Sequence, residues 1–225
     1  MLESREALIL QTLMELPKDV VLIGGYAVNV YVPPRFSIDC DLVVFEGVTE
    51  IKKTLVKNGF EETEKGDVPY GEYFRFMRKK EKVSFDLLLN SVFDRASGIV
   101  FEGSLFKKYS RERVTVGRAN PIRIKIRTAD AELLFAMKFV STRRQDIRDI
   151  FMLSGTELNW NLIRDIIRGK CSEKLLKKRV KMINAKVSNE SYRDSLHGAF
   201  GKLPDRTFDR CVSNLVRFLD GLASI

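Results

Sequence analysis

The chain has 225 residues, of which 44% are hydrophobic and 10% aromatic, enough to bury a real core and too apolar for a disordered tail. Its 39 Lys and Arg against 30 Asp and Glu give a formal charge of +9, which favours polyanionic partners such as nucleotide or nucleic acid. A lone histidine, His197, and three unpaired cysteines, Cys40, Cys171 and Cys211, without CxxC or Cys/His spacing, leave no zinc site and no histidine relay, so acid, base or metal chemistry must rest on carboxylates.

Residues 3–16 predict a helix, with Ala7, Leu8, Leu10, Leu13 and Met14 at helical spacing; charges interrupt the apolar pattern, unlike a signal peptide. No stretch approaches the roughly 20 apolar residues of a membrane span, so a cytoplasmic protein is expected. "DVVLI" predicts a short buried strand running into Gly24 and Gly25, and "YAVNVYV" then gives about two turns of helix before Pro33 and Pro34. "SIDCDLVVF" is a second strand. "TEIKKTLVKNGF" follows as a helix with Ile51, Leu55 and Val56 inward, ended by Gly59. "YGEYFRFMRKKEKVSFDLLLN" reads as a hairpin turning at Lys79–Lys82, and "RVTVGRANPIRIKI" as two further strands.

From residue 128 the apolar spacing is helical throughout, in "ADAELLFAMKFVST", "QDIRDIFMLSG", "NWNLIRDIIRGK", the basic "SEKLLKKRVKMIN" and "DRTFDRCVSNLVRFLDGLASI". The pattern predicts an α/β lobe over residues 1–127 with a mixed sheet, followed by an all-helical lobe over 128–225.

Three features of the first lobe carry chemistry. The Gly24-Gly25 turn lets backbone approach a ligand closely, with free N–H groups suited to phosphate. On the next strand Asp39 and Asp41 share one face, because side chains alternate with period two. Asp86 is again an acid at the centre of an apolar strand, where an aliphatic residue is the ordinary occupant. An isolated DxD is most often a solvated strand end. If the Asp86 strand lies beside the Asp39/Asp41 strand, three carboxylates converge, the ligand set that two Mg²⁺ ions require.

"GGYAVNVYVPPRFSIDCDL" resembles the DNA polymerase β-like nucleotidyltransferases, and in particular the abortive-infection toxin nucleotidyltransferases, which carry GG-x-A and then R-x-S/T-x-D-x-D. "KFVSTRRQDIRDIFML" resembles that family's helical motif of a lysine followed by an arginine and an acid pair, with Gln145 where a basic residue is usual and a slightly short spacing. The resemblance implies that Asp39, Asp41 and Asp86 are catalytic and bind Mg²⁺ or Mn²⁺. It implies further that Gly24, Gly25, Arg35, Ser37 and Lys138 bind the nucleotide, and that Arg144, Asp146 and Asp149 support a site in the cleft between the lobes. The last three also read as ordinary ion pairs on a helix surface.

The implied activity is transfer of a nucleoside monophosphate from an NTP to a hydroxyl. The acceptor is an RNA 3′ end such as that of tRNA, a protein or a small molecule, and the positive charge favours RNA. The chain is then a candidate toxin with an antitoxin partner. The alternatives are an inactive nucleotidyltransferase-like antitoxin or RNA-binding module, and an unrelated basic RNA-binding protein. Tyr26 and Phe36 could stack on a base, although aromatics at such positions more often belong to the core, and Trp160 and His197 read as structural.

Overall fold

The computed structural model describes residues 1–189 and 191–223, which divide into two compact units. The first comprises residues 1–93 and 100–130; the second comprises 94–99 and 131 onward.

The first unit begins with α1 (Leu2–Glu15), β1 (Val20–Ile23), α2 (Gly24–Val28), β2 (Asp39–Val44) and α3 (Val48–Lys57). β3 (Glu61–Val68), β4 (Gly71–Arg78) and β5 (Val83–Leu89) follow, then the β6/β7 ribbon (Ser91–Asp94 and Ile99–Glu102), α4 (Gly103–Lys108), β8 (Ser110–Val116) and β9 (Arg123–Ala129). Seven strands form one mixed sheet in the order β3-β4-β5-β2-β1-β9-β8. β2 is parallel to β5 and antiparallel to β1, and β1 is parallel to β9. Every residue of β1 is buried, as a central strand covered on both faces must be. β2 instead begins with half-exposed Asp39 and Asp41 alternating with buried Cys40 and Leu42, and becomes fully buried from Leu42 onward. The strand's open end is therefore its acidic end.

The core combines Ile9, Leu10 and Leu13 of α1, Ile51 and Leu55 of α3, and sheet residues including Leu42, Phe76 and Phe85, with Phe60 edge-on to Phe85 at 5.1 Å. Two expected inward positions are not: Met14 and Val56 are both 60% exposed, each one residue past the last buried position of its helix.

The sequence pattern leaves β3, β6, β7 and α4 unmarked. β3, "EETEKGDV", has no apolar alternation because it is an edge strand; its ladder to β4 holds it, and its charges discourage further pairing. α2 starts at Gly24 itself and ends at Val28, well before the prolines. The side chain of the next residue, Asn29, bonds both the N–H and the C=O of Arg35, which diverts the chain from the helical path.

The second unit contains α5 (Ala131–Ser141), α6 (Arg144–Ser154), α7 (Trp160–Lys170), α8 (Glu173–Val187), α9 (Tyr192–Phe200) and α10 (Asp205–Ala223). Of these, α9 is not marked by the sequence pattern, and the last two residues of the expected C-terminal helix, 224 and 225, lie outside the described residues. Asn159 and Ser172 cap α7 and α8 by accepting from Leu162 N–H and Leu175 N–H. Phe135, Trp160 and Phe218 pack with ring centroids 4.9–5.6 Å apart, so the half-buried Trp160 serves packing, as its structural reading expects.

Candidate active site

The register of β2 against β5 places Asp39 opposite Ser84 and Asp41 opposite Asp86. Residues paired in this way point to the same face, so Asp39, Asp41 and Asp86 share one face of two adjacent strands. Their combined field reaches the buried Cys40 behind them: burial first, then Asp41, Asp86 and Asp39, push its thiol well above the ordinary cysteine range.

Each carboxylate has a different neighbour. Ser84 Oγ donates to Asp39 Oδ1 at 2.7 Å. Asp41 lies against Gly24, whose φ of +68° is left-handed; a Cβ there would fall 1.9 Å from Asp41 Oδ2. The glycine is required twice, by backbone conformation and by space. Asp86 is only 6% exposed and is gripped by Arg75, its register partner on β4, with Nε at 2.8 Å from Oδ1 and Nη2 at 2.7 Å from Oδ2. Tyr73 donates to the same carboxylate at 3.4 Å. This bidentate pair raises the Arg75 pKa further above its usual value, the hydrogen bonds to Asp86 being the main cause. With both Asp86 oxygens on Arg75, no three His, Cys, Asp or Glu side chains among the described residues are gathered closely enough to hold a metal ion as they stand. The donor types and the shared face nevertheless suit a hard cation, with Asp39 and Asp41 on the open end of the strand.

A second cluster borders the glycines. A Cβ on Gly25 would meet Ser37 Oγ at 2.8 Å and Arg35 Nη2 at 3.1 Å, so the turn, the hydroxyl and the guanidinium occupy one small volume. Arg35 is buried at 7% exposure, and its Nη1 donates to Phe36 C=O at 3.2 Å. Tyr26 is fully buried and donates to Ser37 C=O at 3.0 Å, and burial pushes its phenol pKa up, so it is a core residue that braces the Ser37 segment. The Arg118 guanidinium lies 5.2 Å from the centre of the Phe36 ring. Its loop is tied to α1 by the buried Glu6 carboxylate, which accepts from the N–H groups of Arg118, Ala119 and Asn120.

The helical motif forms a cluster within the second unit. Lys138 Nζ lies 2.7 Å from Asp149 Oδ2 and 3.1 Å from Asp146 Oδ1, with the lysine 8% and Asp149 0% exposed. Asp146 also accepts from the Arg143 backbone N–H at the start of α6. The turn that lets α6 fold back on α5 runs through Thr142, a left-handed residue with φ of +50°. Asp146 and Asp149 are thus buried partners of Lys138, whereas Arg144 is exposed.

Arg75, Arg118 and Thr142 are absent from the sequence-derived set. In an alternating strand Arg75 reads as an outward charge; its cross-strand partner becomes visible only with the register. A cavity of about 570 Å³ lined by residues that include Leu13, Leu16, Phe45 and Arg127 lies at the Val20 end of β1, opposite the Gly24 turn, and gathers none of these groups.

The mixed sheet, with its glycine turn against paired strand aspartates, has the arrangement that the resemblance to nucleotidyltransferases implies. The family model for the nucleotidyl transferase AbiEii toxin of type IV toxin–antitoxin systems matches residues 9–219, and the chain belongs to that family. Two solved structures from Helicobacter pylori are similar to it. JHP933 is 15% identical, covering 98% of this chain and 90% of its own with a TM-score of 0.44. A provisionally assigned nucleotidyltransferase is 16% identical, covering 99% and 93%, also at 0.44. No curated protein matches. No helix among the described residues is long and apolar enough to cross a membrane.

Proposed function

We propose that this protein transfers a nucleoside monophosphate from an NTP to a hydroxyl, with an RNA 3′ end as the favoured acceptor, and that it is the toxin of a toxin–antitoxin pair. The observation that carries this reading is the placement of Asp39, Asp41 and Asp86 on one face of β2 and β5 beside a glycine that leaves room for Asp41 alone.

In this reading Asp39 and Asp41 would hold Mg²⁺, with Asp86 on the same face and now paired to Arg75. What Mg²⁺ supplies there, when bound, is charge stabilisation of the attacked α-phosphate and of the departing pyrophosphate. Ser37 and Arg35 bind phosphate oxygens at the Gly25 turn, Ser37 through its hydroxyl and Arg35 as a fixed cation whose fork is already oriented. Tyr26 and Asn29 position those two groups by bonding their backbone. The +9 charge supports RNA over a neutral acceptor.

The test is incubation of the purified protein with each labelled NTP, Mg²⁺, and either total RNA, total protein or a panel of small hydroxyl compounds. Label in the RNA band supports the reading. Label confined to protein or to a small molecule would replace the acceptor, and label in none would remove the activity.

A further inference from the structure

We infer that the solvent face of α8 is a binding surface for the phosphate backbone of RNA. The inference rests on the RNA-acceptor reading above and assigns to the helical unit the contacts that bring such an acceptor to the enzyme.

The positive charge is not spread evenly. Residues 1–130 contain 21 Lys and Arg against 19 Asp and Glu, nearly neutral, whereas 131–225 contain 18 against 11. Within the second set, residues 164–186 alone hold nine Lys and Arg against Asp165 and Glu173. The excess is therefore confined to the end of α7 and to α8.

On α8 the exposed cations are Lys174, Lys177, Lys178 and Lys181. Lys177 pairs with Glu173 at i−4, whereas Lys174, Lys178 and Lys181 meet no carboxylate among the described residues. Spaced i, i+4 and i+7, these three stand in one row about 10 Å long. That is the reach of several successive phosphates. Beneath the surface Arg179, only 7% exposed, has an Nε without a hydrogen-bond partner, and its Nη1 meets only Met182 Sδ at 3.9 Å, so it adds a charge that no carboxylate of the described residues balances.

Helix stability does not explain this arrangement. Lys174 sits in the first turn, where the helix dipole disfavours cations, and Lys174, Lys178 and Lys181 are mutual like-charge neighbours. A polyanion lying across the row reverses both effects, since each phosphate contact also releases counterions.

The test is RNA binding by the full-length protein without NTP, read as fluorescence anisotropy of a labelled hairpin RNA with a single-stranded 3′ end, between about 50 and 200 mM salt. The variants are Lys174→Ala/Lys178→Ala/Lys181→Ala, the matching triple Arg variant, and a control with Lys53, Lys79 and Lys80, exposed lysines of the first unit, changed to Ala. The α8 Ala variant should bind on the order of tenfold or more weakly and lose about 2 to 3 from the slope of log K against log salt. The triple Arg variant and the control should bind as wild type. Wild-type binding by the α8 Ala variant, or an equal loss in the control, overturns the inference. So does competition by polyglutamate as effective, charge for charge, as unlabelled RNA, because the surface then fits an acidic protein. The assay contains no NTP and reads no turnover, so weakened RNA binding by the α8 Ala variant stands even if the labelling test finds no transfer, which separates this result from failure of the transferase reading.

Discussion

Removing Arg75 exposes how the acidic face is held together. The Arg75 and Asp86 side chains are 33% and 9% exposed. The pair lies between a surface ion pair, worth about 0–1 kcal/mol, and a buried pair, where loss of one partner costs about 3–5 kcal/mol. Arg75→Met should therefore cost about 2 kcal/mol, because Asp86 is then left, among the described residues, with Tyr73 as its side-chain donor, at 3.4 Å. Asp86→Asn should cost less than about 1 kcal/mol, since a guanidinium one-third exposed can turn to water. The double variant should match Asp86→Asn within about 0.5 kcal/mol, giving a coupling energy above about 1 kcal/mol. Urea unfolding of the four proteins at constant m-value measures all of this. Additive effects of the two substitutions would refute the claim that Arg75 acts through Asp86. The same variants report on cation binding without any turnover: Mg²⁺ should raise the unfolding midpoint of Arg75→Met more than that of wild type, because Asp86 is released to join Asp39 and Asp41.

Gly24→Ala should cost at least about 1–2 kcal/mol from the left-handed backbone alone and should abolish transfer, since its Cβ displaces Asp41; a fully active, wild-type-stable variant would sink the close-approach argument. Lys138→Met leaves two buried carboxylates facing each other and should destabilise the protein by about 3–5 kcal/mol in urea, a loss under 1 kcal/mol being incompatible with the buried cluster. The triphosphate contact that the resemblance implies for Lys138 is measured separately, by NTP titration of Lys138→Arg in Mg²⁺. The native thiols should be slow toward disulfide reagents at pH 8: burial pushes Cys171 and Cys211 up to about 11, and burial with the neighbouring Asp41, Asp86 and Asp39 raises Cys40 well above the ordinary thiol range. Cys171, the one cysteine that is not buried, should react first, and fast reaction of Cys40 would mean that β2 opens to solvent.

The acidic strand was legible in the sequence because a carboxylate inside an apolar run violates the burial preference of its neighbours, and such violations mark places where side-chain chemistry outweighs packing. Gly24 and Gly25 were legible for the same reason, as flexible residues between a strand and a helix. What was not legible depends on pairing. Arg75 becomes a partner of Asp86 only through the β4–β5 register, and β3 exists only because β4 offers it a ladder. Lys138 shows a different limit: its sequence neighbours are apolar, and its burial against Asp146 and Asp149 depends on a left-handed turn at Thr142, a β-branched residue for which no pattern predicts that conformation. The uneven charge of α8 lay in plain view in the sequence, but the exposed row of lysines emerges only once the helix and its buried side are known.

We propose that Asp39 and Asp41 form the catalytic centre of a nucleotide-transferring site. Wild type, Asp39→Asn and Asp41→Asn should be compared for incorporation of labelled NMP into RNA in Mg²⁺, with unfolding midpoints measured alongside. Incorporation should fall by at least about 10²-fold in each variant, the scale for removing one member of a preorganised electrostatic site. The midpoints should stay level or rise, because each substitution relieves like charges set side by side on β2 and β5. Incorporation at the wild-type rate by either folded variant would remove that residue from the catalytic centre.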